Sequence, residues 1–151
     1  PRNAKQVGRD CSGGVRRLTD IETDVYSRVS VKLKTLFSGI FVSGEYVASP
    51  PSFPAASLEE SINSTYQRTL DGSGENHSQV YYTANVYSNK SSGKKSECKA
   101  IMAAIDEEMI RLGFIRVGTS PAEVPNANQS IYRMVSRYRA VVSNDGKIYR
   151  I

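Results

Sequence analysis

The sequence predicts an α+β domain: a mainly antiparallel sheet with two amphipathic helices packed on one face. Three observations lead there. Apolar residues recur at spacings of three and four in two stretches, residues 21–37 and 98–112. Residues 78–87 and 131–142 alternate apolar and polar as half-buried strands do. The order is helix, several strands, helix, strands, without the regular strand–helix alternation of a parallel sheet. At 151 residues and 39% hydrophobic content, the chain suits one domain that buries a core without disulfide staples.

Residues 1–18 carry no hydrophobic periodicity and contain Gly8, Gly13 and Gly14. They read as a basic arm preceding a single domain over 19–151. The first helix opens at Thr19-Asp20-Ile21-Glu22, a capping-box pattern in which the Thr19 hydroxyl and the Glu22 carboxylate satisfy free N–H groups reciprocally. Ile21, Val25, Val29, Leu33, Leu36 and Phe37 form its apolar stripe over about five turns, with Gly39 placed to end it. Arg28, Lys32 and Lys34 are expected on solvated faces.

Residues 40–47 read as a strand interrupted by Gly44. The run Pro50-Pro51-Ser52-Phe53-Pro54 reads as a loop or edge, since proline gives no N–H to a ladder. Residues 55–62 and 65–70 are expected as two short strands turning at Asn63-Ser64, and residues 71–74 as a loop. In the strongest strand, residues 78–87, Val80, Tyr82, Ala84 and Val86 are assigned to the helix side, and Tyr81, Thr83, Asn85 and Tyr87 to the other. The second helix is expected at 94–112, with Cys98, Ile101, Ile105, Met109 and Leu112 as its stripe. Ala100, Ala103 and Ala104 would allow close approach, and Gly113 would stop it. A strand at 114–119, a loop at 120–129, a long strand at 131–142, a turn at Asn144-Asp145-Gly146 and a short return strand at 147–151 complete the chain.

Charge location narrows the function classes. The formal net charge is +5, yet Arg2, Lys5, Arg9, Arg16 and Arg17 stand against Asp10 alone in the first nineteen residues, so four of the five charges sit there. The domain itself is close to neutral, which argues against a generic polyanion-binding surface. No apolar run approaches the roughly 20 residues of a membrane helix, and the N-terminal stretch lacks a signal-peptide h-region. The expected setting is therefore a cytoplasm or an assembly built in one.

Residue chemistry offers no catalytic constellation and no cofactor. Cys11 and Cys98 are far apart and form no CxxC pair or zinc pattern. His77 is the only histidine and reads as a polar strand-edge residue. No Ser or Cys is accompanied by an identifiable His–acid pair. Asp106-Glu107-Glu108 lies on a helix, where consecutive side chains diverge, so a solvated face is expected and not a metal cage. Gly93-Lys94-Lys95-Ser96 precedes a helix but lacks the upstream glycine of a phosphate loop.

One constellation stands out. Arg133, Arg137 and Arg139 share odd parity on the last long strand and project from one sheet face, opposite Tyr132, Met134, Tyr138, Ala140 and Val142. Such a face is wet, lines a lumen, or pairs with carboxylates of another subunit.

Residues 75–99 (ENHSQVYYTANVYSNKSSGKKSECK), together with the stretches LGFIR at 112–116 and SIYRMVSRYR at 130–139, carry a family resemblance. So do DIETDVY at 20–26 and VSGEYV at 42–47. Over residues 20–151 the chain resembles the tail terminator or tail completion proteins of long-tailed bacteriophages of Gram-positive hosts. The resemblance implies a small α/β fold and a non-enzymatic virion protein that assembles as a hexameric ring of identical copies. It implies three further neighbours: the tail tube protein, whose polymerisation the ring ends; a head-side neck or connector protein; and genomic DNA as cargo in the lumen, with no membrane partner. It places the protein at the head-proximal end of the tail, after assembly in the host cytoplasm.

Pro50, Pro51, Phe53, Asp71, Glu75 and Asn126, in three projecting loops, are the expected inter-subunit contacts, and Arg2, Lys5, Arg9, Arg16 and Arg17 the expected arm contacts. A neighbouring neck, connector or minor tail protein is an alternative in the same structural class. A nucleic-acid-binding module using the arm and the Arg-rich strand face is an alternative in another.

Overall fold

The computed structural model describes residues 19–66, 77–122 and 130–150. Helices α1 (Glu22–Leu36) and α2 (Lys94–Leu112) accompany six strands: β1 (Phe41–Ser43), β2 (Ala55–Thr65), β3 (His77–Ser88), β4 (Ile115–Ala122), β5 (Tyr132–Ser143) and β6 (Ile148–Tyr149). The sheet order is β1-β2-β3-β5-β4, with β6 added to β5. Among the described residues only β1–β2 is parallel, so the fold is α+β with a mainly antiparallel sheet. β3 takes one side of β5 from end to end, so β6 shares the other side with β4.

The core lies between sheet and helices. Val80, Tyr82, Ala84 and Val86 of β3 and Met134, Tyr138, Ala140 and Val142 of β5 meet Val25, Val29 and Leu33 of α1 and Cys98, Ile101, Ile105 and Met109 of α2. Phe114 sets its ring edge-on to Tyr82, with centroids 5.2 Å apart. Met102, Ala104 and Glu108 are also buried, whereas Ala100 and Ala103 are exposed, so only one of the three expected alanines serves close packing.

The start of α1 departs from the capping-box expectation. Thr19 is buried and its carbonyl accepts from Asn63 Nδ2 at 2.8 Å. Asp20 Oδ1 accepts the Glu22 N–H at 3.0 Å, and the Glu22 carboxylate turns to the Glu60 N–H on β2. Asp20 takes the place of Thr19 in satisfying a free N–H of the first turn, and β2 claims the Glu22 carboxylate that the reciprocal pair would have used. At the other end, Phe37 is already extended, and Leu36 projects outward with 58% of its surface exposed. The helix is therefore shorter than its apolar pattern.

β2 runs on through Asn63 and Ser64, where a turn was expected; of the second strand expected at 65–70, residues 67–70 lie outside the described residues. Asn63 pairs with Val80 and Ser64 with Gln79. A bulge between Glu60 and Ile62 reverses the parity, putting Ile62 on the helix-free face and Asn63 against the start of α1. β1 is only three residues long, because the chain leaves the sheet at Gly44, which packs on the Tyr26 ring. β4 extends through Pro121 and Ala122, where a loop was expected; as an edge strand it tolerates a proline.

Gly113 ends α2 at φ +109°, with its N–H on the Ile110 carbonyl. A Cβ there would lie 3.1 Å from Ile148 Cγ2. Gly113→Ala is expected to cost about 1–3 kcal/mol, from strain in a region L-residues avoid, measured as a lower denaturation midpoint at unchanged m-value.

Candidate functional site

The helix-free face of the sheet divides into two parts. Arg137 and Arg139 are exposed there, opposite Thr83 and Tyr81 of β3, and neither has an ion-pair partner among the described residues. Ile62, 53% exposed, stands opposite Tyr81 on the same face. Arg133 shares their parity but not their situation. Its Nε and Nη2 donate to Asn85 Oδ1 at 3.2 and 2.8 Å, and Asn85 Nδ2 donates to Ser57 Oγ at 3.3 Å. Its guanidinium also lies 5.5 Å from the Tyr46 ring centroid and 5.6 Å from that of Tyr87. The expected trio is thus a pair plus one arginine spent on intramolecular contacts.

This second part of the face is sealed. Ala55, Ser57, Asn85, Tyr87 and Val135 are buried although they point away from the helices. Burial pushes the Tyr87 hydroxyl up to about 12, while the Arg133 charge pulls the other way. Burial raises Tyr82 and Tyr138 as well. Asn85, Tyr87, Ser57 and Tyr46 were not singled out from the sequence as a unit. The available signal was the polar Asn85 between Ala84 and Val86 in the strand whose alternation is clearest.

On the helix side, the acidic run is solvated only at Glu107; Asp106 is half-buried and Glu108 buried. Asp106 pairs with Arg116 of β4 at 3.3 Å. Glu107 pairs with Lys32 at 3.2 Å and Arg111 at 3.5 Å, and the buried Glu108 with Arg111 at 3.4 Å and Lys32 at 3.8 Å. Asp106 thus meets Arg116 alone, while Glu107 and Glu108 share Lys32 and Arg111, and Lys32 is drawn between the helices instead of into solvent. Beside these pairs a groove of about 510 Å³ opens along α1, with Arg28, Val31, Lys32, Leu36 and Arg111 among its walls. Val31 is 65% exposed.

The sheet edges differ from these two surfaces. The Tyr26 hydroxyl donates to the Val42 carbonyl at 3.2 Å and covers the edge of β1. β4 is exposed from Arg116 to Pro121, but a register shift between Arg116 and Gly118 and the missing N–H of Pro121 blunt it for strand addition.

Of the expected loop contacts, Pro51 is exposed, whereas Pro50 is buried and Phe53 half-buried beside a cis Phe53–Pro54 bond. Buried within the loop, Pro50 offers little to a partner. Asp71, Glu75 and Asn126, and the arm cations Arg2, Lys5, Arg9, Arg16 and Arg17, lie outside the described residues. His77 stacks obliquely on Tyr149 at 5.8 Å. Cys98 is buried with Sγ 3.5 Å from the Tyr132 carbonyl, and burial pushes its thiol up to about 12. Among the described residues no group of three or more His, Cys, Asp or Glu is arranged to hold a metal ion. No helix among them is long and apolar enough to cross a membrane.

No protein-family model matches the chain, and no curated protein matches it.

Two predictions separate the two parts of the sheet face. Arg133→Met is expected to destabilise the domain by about 1–3 kcal/mol, since it strips a charged donor from the buried Asn85. Arg137→Ala and Arg139→Ala should each stay within about 0.5 kcal/mol of the parent in the same denaturation series. The second concerns pH. Unfolded tyrosine titrates near 10 and folded Tyr87 at about 12, so in alkali the folded state keeps a proton that the unfolded chain has lost. Its contribution is complete below the lower value and falls as pH rises through the upper. Alkaline unfolding curves should steepen over that window and be shallower in Tyr87→Phe.

Proposed function

We propose that this chain is a tail terminator: a structural subunit that caps a phage tail tube as a ring of identical copies, expected to be a hexamer. It ends tube polymerisation and offers the head-side connector a surface to join. The reading draws on the resemblance of residues 20–151 to that family.

The observation that carries it is the two-sidedness of the domain. One side presents an apolar groove beside α1, with Val31 and Leu36 exposed, and the other an open sheet face with Arg137 and Arg139 unpaired among the described residues. A closed ring is built from heterologous contacts, each subunit meeting the next through two unlike patches. Function then resides in shape and contact, and needs no pocket of convergent catalytic groups. In this reading Arg137 and Arg139 face either the lumen or carboxylates of a neighbouring subunit.

Deletion of the gene is expected to give tails of abnormal length or heads without tails, and density of the intact particle should contain the fold at the head-proximal tail end. Normal tails with full infectivity in the deletion would sink the assignment. Density for the fold one layer away would make the chain a neck or connector protein instead. The unpaired arginines favour one second reading, a nucleic-acid-binding module. That reading requires salt-sensitive DNA or RNA binding that weakens in Arg137→Ala/Arg139→Ala, and an absence of binding at low salt removes it.

A further inference from the structure

We infer that copies of this chain dock head to tail, with Glu45 and Tyr46 in the β1–β2 loop of one copy seated in the α1 groove of the next; this rests on the ring reading and names its contact. The groove holds two large apolar side chains in water, Val31 at 65% and Leu36 at 58% exposure, which a docking partner would cover. Its charge is one-sided: Arg28, Lys32 and Arg111 line it against Glu108 alone. Arg111 and Lys32 are shared with Glu107 and Glu108, but exposed Arg28 has no ion-pair partner among the described residues. The fitting occupant therefore carries a carboxylate next to an apolar body.

The β1–β2 loop offers that combination. Glu45 is exposed with no ion-pair partner among the described residues, and Tyr46 is 44% exposed. Tyr46 is not a loose side chain, because its ring lies on the Arg133 guanidinium, which Asn85 fixes in turn. An aromatic held before docking loses little entropy when it docks, which gives the buried side of Arg133 a positioning role.

Geometry makes the contact intermolecular and directional. Tyr26 touches the loop, with its ring carbon 3.5 Å from where a Gly44 Cβ would stand. At 3.6 residues per turn, Val31 and Thr35 lie about 140° and about 180° around α1 from Tyr26. Knob and groove thus occupy different sides of the helix, so joining them between copies repeats head to tail. With β1 capped by Tyr26 and β4 blunted, side chains and not strand pairing carry the contact.

The test is sedimentation of the full chain at near-millimolar concentration. The wild-type chain is expected to associate weakly. Arg28→Glu and Glu45→Arg should each weaken association about tenfold by placing like charges together, and the double swap should restore it. Val31→Asp, which leaves both charges in place, should also weaken it. Association indifferent to all of these variants, a double swap no better than either single, or a wild-type chain that stays monomeric throughout would overturn the contact. The ring itself stands or falls separately, on density at the tail end of the particle.

Discussion

The antiparallel ladder between β3 and β5, twelve residue pairs from His77–Ser143 to Ser88–Tyr132 without a register break, is the constraint on which the other contacts depend. Tyr82 faces Tyr138 across it, and both are fully buried beneath the helices. A one-residue slip would send every side chain of one strand to the opposite face. Held in place, the ladder puts Arg137 and Arg139 outside and fixes Arg133 opposite Tyr87. The flanking strands adapt by bulging, β2 at Glu60/Ile62 and β4 at Arg116/Gly118.

Its outer face is unusual in being half sealed. A sheet covered by helices on one side commonly leaves the other wet, yet Asn85, Tyr87 and Val135 are buried there. Asn85 takes two donations from Arg133 and gives one to Ser57, so the polar group within this patch is satisfied. Tyr46 on the outside of Arg133 ties the β1–β2 loop to the same patch. A loop that projects from the domain is thereby fixed by the sheet, and the exposed arginines lie further along the same strand.

The helix layer is joined by charge as well as by apolar packing. Lys32 of α1 reaches both Glu107 and Glu108 of α2, and Arg116 ties α2 to β4 through Asp106. These pairs range from exposed to buried, so their individual contributions differ, and surface pairs are worth little. Their structural consequence is directional: they draw the polar sides of the helices together while Val31 and Leu36 remain in solvent.

Most of the architecture was legible in the chain. Helical spacing marked α2 from Lys94 to Leu112, and alternation assigned both faces of β3 and β5 correctly, because these patterns record burial one residue at a time. The sequence by itself determined the fold class, the core stripe of α2, that of α1 apart from Leu36, and the shared parity of three arginines. Only the tertiary structure decided which of those arginines found no ion-pair partner among the described residues, that Asn63 continues β2 and holds Thr19, and that the acidic run binds three cations. Hydrogen bonds and ion pairs join residues distant in the chain, such as Arg133 and Asn85 forty-eight positions apart. Local periodicity carries no record of such partners, since it reports which side of an element is dry and not what stands across from it.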